Sequence, residues 1–162
     1  MYATGSIFGE DRGVESEGGF LLLVNHGSIF GREDGVLATG PANIIVNYGM
    51  IEALDEGIEL SGDGSRVMNY GFITSSDFGE AVEMNPLVGE VVSVLNYGTI
   101  DGSGGFGAID GNQGTERVVN KGTIIGDVDL KGGNDHFDSR GGTVQGLVEG
   151  GSGNDVYLIC LL

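Results

Sequence analysis

The sequence predicts an all-β protein: a single-domain parallel β-helix (β-solenoid) of about seven coils, each of 20–27 residues and three short strands. Three observations lead there. Glycine supplies 33 of the 162 residues, about 20%, where ~7% is usual. Disorder at that glycine level would need few aliphatics. Leu, Ile, Val and Phe make up 48 residues, about 30%, well above the ~20% below which chains stay unfolded. Collagen is excluded by two prolines and no glycine at every third position. The second observation is a repeat that spans the chain, and the third is that its apolar runs are too short for helices.

The repeat reads N-x-G-x-I, at Asn25/Gly27/Ile29, Asn47/Gly49/Ile51, Asn69/Gly71/Ile73, Asn96/Gly98/Ile100 and Asn120/Gly122/Ile124. Gly5-Ser6-Ile7 is a first copy without the asparagine, and Gly142-Thr143-Val144 a degenerate last one. The strand carrying the isoleucine is the first of each coil. A second follows a glycine about eight residues later, as in Gly35-Val36-Leu37, Gly57-Ile58-Glu59-Leu60, Gly79-Glu80-Ala81-Val82 and Gly107-Ala108-Ile109. A third leads into the next asparagine: Ile44-Ile45-Val46, Arg66-Val67-Met68, Val92-Ser93-Val94-Leu95 and Glu116-Arg117-Val118-Val119. Gly, Asn, Asp and Ser turns separate the runs, and no 3.6-residue period of helix length intervenes. Coils stacked at the ~4.8 Å strand spacing give a rod of roughly 34 Å. Residues 1–162 form one domain, 1–124 of N-x-G-x-I coils and 125–162 of a different C-terminal kind.

Alternation along a strand turns the repeat's asparagine inward with its isoleucine, so Asn25, Asn47, Asn69, Asn96 and Asn120 can form an amide ladder. The competing structural role is tolerance of a left-handed turn before glycine. The outward neighbours read His26, Tyr48, Tyr70, Tyr97 and Lys121. The three tyrosines are the candidate binding residues: an exposed aromatic stripe can take sugar rings or a partner surface, and it also simply suits a pleated surface. Asp11, Glu33, Asp55 and Asp77 recur every 22 residues and should stack on one edge, screened by solvent or bridged by divalent cations.

Seven Lys and Arg against 24 Asp and Glu leave a formal charge of −17. That repels phosphate, which excludes nucleic acid and disfavours an anionic membrane surface. It also destabilises the compact state unless cations neutralise it. One cysteine, Cys160, excludes an internal disulfide. No apolar run, residues 20–24 included, is long enough to span a membrane. The first residues carry no basic or apolar region of a cleavable secretory signal. No enzyme is expected. The two histidines, His26 and His136, fall about five coils apart, and no nucleophile–base set assembles.

Residues 150–158, Gly-Gly-Ser-Gly-Asn-Asp-Val-Tyr-Leu, fit G-G-x-G-x-D-x-U-x at every specified position. Residues 131–138 keep the Gly-Asn-Asp-x-aromatic part without the leading glycine pair. This C-terminal stretch resembles the calcium-binding nonapeptide of repeats-in-toxin (RTX) proteins, whose spacing is shorter than the coils here. The resemblance implies Ca²⁺ between coils, held by Asp135 and Asp155 with the turn glycines Gly133, Gly151 and Gly153. It also implies type I export to the outside of the cell through an uncleaved C-terminal signal, which residues 155–162 resemble. Two functions follow as expectations. One is a secreted, calcium-stabilised structural or matrix protein that self-associates end to end into filaments. The alternative is an adhesion or polysaccharide-binding module using the tyrosine stripe.

Overall fold

A computed structural model describes residues 2–3 and 5–160. The chain winds through three parallel sheets in turn. Sheet A takes the strand that leads into each asparagine, sheet B the strand with the isoleucine, and sheet C the strand after the next glycine. In the third coil these are Ile44–Asn47, Met50–Ala53 and Ile58–Ser61. Among the described residues sheet A has eight strands, B and C have seven each, and no helix occurs. Each strand pairs in parallel with its counterpart one coil on, so the predicted seven-coil, three-strand β-solenoid is what the chain forms.

Strict register turns the repeat into continuous columns. Leu23, Ile45, Val67, Val94, Val118 and Phe137 stack on the inner face of sheet A. Ile29, Ile51, Ile73, Ile100 and Ile124 do so on sheet B, and Val36, Ile58, Val82, Ile109 and Val128 on sheet C. All are buried and meet in one core along the axis. Burying each such side chain is worth roughly 1.5–3 kcal/mol. The second to sixth coils each supply one from each sheet, while Ile7, Val144 and Val148 towards the two ends are only partly buried.

The glycine of the repeat has a different job from the one its turn context suggests. None of Gly27, Gly49, Gly71, Gly98 and Gly122 has a positive φ, nor does any ladder asparagine. The glycines instead lie directly over one another: a Cβ on Gly49 would overlap the carbonyl oxygen of Gly27, one on Gly71 that of Gly49, and so on to Gly122. Close backbone approach between coils requires the missing side chain.

The last coils turn differently. Gly132–Gly133 and Ser152–Gly153 pair as a small extra sheet at the corner before sheet A. Gly133 and Gly153 have φ of 140° and 137°, a region open in practice to glycine alone. Where the second copy of the motif has Gly151 (φ 73°), the first has Lys131, which takes φ 63° nonetheless. Its ammonium is tied to Asp110 at 3.0 Å.

Candidate functional site

The amide ladder is present and complete. Asn25 Nδ2 donates to Asn47 Oδ1 at 2.8 Å, and the same bond repeats at 2.9 Å from Asn47 to Asn69, Asn69 to Asn96 and Asn96 to Asn120. Each Nδ2 also donates to a backbone carbonyl of the next coil, such as Thr99 for Asn69. Most Oδ1 atoms also accept the N–H of the glycine two residues on. In the seventh coil Ser139 takes the place of asparagine and accepts from Asn120 at 3.1 Å. All five asparagines are fully buried, so the ladder is a polar spine inside the solenoid.

Outside the same turn, His26, Tyr48, Tyr70 and Tyr97 stack with centroids 4.7, 4.9 and 5.0 Å apart and near-parallel planes. The tyrosines are about half exposed. Their faces are turned on each other, so the stripe presents ring edges and hydroxyls to solvent. A sugar stacked on a tyrosine face would first have to pull neighbouring rings apart.

The 22-residue acidic column behaves only in part as its spacing suggests. The N–H of Glu33 donates to the carbonyl of Asp11 and that of Asp55 to Glu33, but Asp77 donates to Leu54, one residue out of step. Arg12 lies across this edge, 3.4 Å from Glu33 and 2.7 Å from the buried Asp34.

A longer carboxylate ladder stands on the outer face of sheet C. Glu59, Glu83, Asp110, Asp129 and Glu149 occupy directly paired positions on five successive coils. Their irregular sequence spacing hid them; the signal was the outward place in each sheet C strand. Burial, then neighbouring acids, pushes the pKa of Glu83 up, and burial raises Glu59 and Asp110. Glu80 rises to about 7 through burial, then Asp110 and Glu83. These carboxyls bind protons more readily folded than unfolded. Stability is therefore lowest at alkaline pH and rises as pH falls through the folded-state values, the gain being complete near the ordinary glutamate value of 4.5. Going from about pH 8 to about pH 5.5 at fixed ionic strength should raise Tm by roughly 3–8 °C, after discounting for half-exposed groups. Thermal melts check this; a flat or falling Tm would show that the ladder is relaxed by solvent.

Asp135 and Asp155 fall in register on adjacent coils, and the acidic column extends one coil further. Glu116, Asp135 and Asp155 stack on three successive coils. Asp135 Oδ1 accepts the N–H of Glu116 at 2.9 Å, and Asp155 Oδ1 that of Asp135 at 3.0 Å. Glu116 and Asp135 are buried within hydrogen-bonding reach of each other, and Glu116 Oε2 and Asp135 Oδ2 have no partner. Burial, then Asp135, drives the Glu116 pKa well above the usual carboxylate range. Among the described residues no basic side chain forms an ion pair with Glu116 or Asp135, and this pair lies one coil earlier than the Asp135/Asp155 pair expected from the sequence. Their donors are all oxygens, the kind that suits a hard cation such as Ca²⁺, but among the described residues no three His, Cys, Asp or Glu side chains gather around a metal position. Gly133, Gly151 and Gly153 bring the turns so close that a Cβ on any of them would overlap a carbonyl oxygen of the preceding coil.

At the C-terminal end the strand Val156–Leu158 pairs on one side only, with His136–Asp138. Val156, Tyr157 and Ile159 are exposed, and a cleft of about 600 Å³ opens there onto Phe137, Val144 and Val148. The expected apolar strand over residues 156–162 is thus a three-residue strand, and residues 161 and 162 lie outside the described residues. Comparison of the chain with protein-family models, curated proteins and solved structures finds no match, so the functional reading stands on these ladders and this open end.

Proposed function

We propose that this chain is a non-enzymatic structural protein, an extracellular β-solenoid that lengthens by stacking end to end on further copies of itself. The observation that carries this is the apolar, unpaired edge at Val156–Leu158 above the Phe137/Val148 cleft. A strand edge is a template for another strand. The opposite end offers the corresponding edges: Tyr2–Ala3 ends sheet A opposite Val156–Leu158, and Ser6–Phe8 and Val14–Ser16 end sheets B and C opposite Thr143–Gln145 and Val148–Glu149. Contact of unlike ends is heterologous and propagates as an open filament. Calcium enters this reading as the charge that Glu116 and Asp135 lack, and it favours the folded coils by mass action, by about 2.7 kcal/mol at a hundredfold excess over Kd. Type I export is part of the same proposal and has the C-terminal resemblance as its support.

Sedimentation velocity over a wide concentration range, with calcium and with chelator, tests the assembly. The wild type should grow with concentration, and Tyr157→Lys or Ile159→Lys should remain monomeric while keeping its β spectrum. A wild type that stays monomeric throughout would overturn the filament and leave the tyrosine-stripe adhesion module as the better account.

A further inference from the structure

The outer face of sheet A differs in kind from the rest of this acidic molecule. Val24, Val46, Met68, Leu95 and Val119 form an aliphatic column in strand register beside the tyrosine stack. Next to it, Arg66, Ser93 and Arg117 are paired on successive coils, and a groove of about 400 Å³ runs between the two rows. From the second coil to the sixth no outward strand position of this sheet is Asp or Glu, in a chain with 24 of them. Lys121 extends the tyrosine column. Among the described residues Arg66, Arg117 and Lys121 make no ion pair, since the bridges of the chain belong to Arg12, Lys131 and Arg140.

Sheet C carries the complement. Arg12 lies beyond the Glu59 end of its carboxylate ladder, pairing with Glu15, and Lys131 pairs with Asp110 and Asp129, while Glu59 and Glu83, the first two rungs, have no basic partner within ion-pair distance among the described residues. Like charges directly opposite each other destabilise a sheet, so this row gains from any cationic face laid on it. We propose that the sheet A face of one copy docks side by side on the sheet C face of a second copy, with Arg66 and Arg117 set against the Glu59–Asp110 stretch of its ladder.

The spacings match by construction. Arg66 and Arg117 are two strand steps apart, about 9.6 Å, and so are Glu59 and Asp110. Aliphatic rows and the arginine stems supply the apolar contact that an ion-pair row by itself lacks. A face roughly 34 Å long and one sheet wide covers about 400–500 Å² per partner, under the ~800 Å² of a standard stable interface. One lateral contact is therefore weak, and becomes strong only when many copies are aligned along a rod. This proposal goes beyond end-to-end growth and needs a different surface.

The test uses the full chain carrying Ile159→Lys, which blocks end stacking, so that failure of lateral docking is distinguishable from failure of filament growth. Sedimentation equilibrium up to millimolar protein should show a weak lateral association. R66E/R117E should weaken it at least tenfold. E59Q/E83Q/D110N, which keeps the shape of sheet C and relieves its repulsion, should weaken it to a similar degree while raising Tm. Mixing the two variants should restore heterodimers, because the first keeps an intact sheet C face and the second an intact sheet A face. Monomer at every concentration, wild-type association in either variant, or no rescue on mixing would each overturn the proposal. Binding of an added anionic polysaccharide by the chain that keeps Arg66 and Arg117, lost in R66E/R117E, without self-association of the protein would overturn it and assign the face to that ligand instead.

Discussion

Asn69→Ala is expected to destabilise the protein by about 3–5 kcal/mol. Asn69 is fully buried at the centre of the spine. Its Nδ2 donates to Asn96 Oδ1 at 2.9 Å and to the carbonyl of Thr99 at 3.0 Å. Its Oδ1 accepts from Asn47 Nδ2 at 2.9 Å and from the N–H of Gly71 at 3.2 Å. Alanine would take a partner from groups on three coils at once and orphan the buried Asn96 Oδ1, and each buried orphan costs about 1–3 kcal/mol. The fall in Tm should be roughly 6–20 °C at ~2–4 °C per kcal/mol. Urea unfolding checks it, since a loss below about 1 kcal/mol would mean that the neighbouring asparagines re-pair across the gap.

Glu116→Gln should act in the opposite direction, stabilising the protein by about 1–3 kcal/mol near pH 8 with chelator present. Glu116 Oε1 already accepts the N–H of Asn112 at 2.8 Å, a bond the amide oxygen of glutamine can keep. The new Nε2 replaces the orphaned Oε2 and can donate to the equally orphaned Asp135 Oδ2. One substitution then removes a buried charge and satisfies two buried atoms. The same change should abolish the calcium increment: wild-type Tm should rise more with calcium than with magnesium, and that of the variant should respond to both alike. A destabilised variant in chelator would show that the Glu116 carboxylate is needed there as an anion.

The contrast between these two positions shows how far the sequence could be read. The asparagine spine, the three strands per coil and the core columns all follow from a repeat in which similar residues return at regular intervals. Parallel in-register stacking places like upon like, so periodicity in sequence becomes contact in space. The Tyr48, Tyr70 and Tyr97 stripe was legible for the same reason, although only the structure shows that its ring faces are already occupied by each other. The acidic column at Asp11, Glu33 and Asp55 was legible as a stack and then slipped at Asp77, because hydrogen bonding at that corner shifts by one residue.

The sheet C ladder and the Glu116–Asp135 pair were not legible, and the reason is physical. Insertions at the corners change the number of residues per coil without changing which strand positions pair. Glu59, Glu83 and Asp110 therefore sit at uneven spacings in the chain and directly opposite each other in the sheet. Glu116 looked like an ordinary residue entering a strand; its place beside Asp135 is set by the corners, where the N–H of Asn112 holds Glu116 Oε1 and Gly133 takes a φ of 140°. By itself the sequence determined the solenoid, its coil count and its inward columns, because a repeated inward pattern admits one stacking register. Only the tertiary structure decided which charges meet across coils, because that depends on how each corner takes up its extra residues.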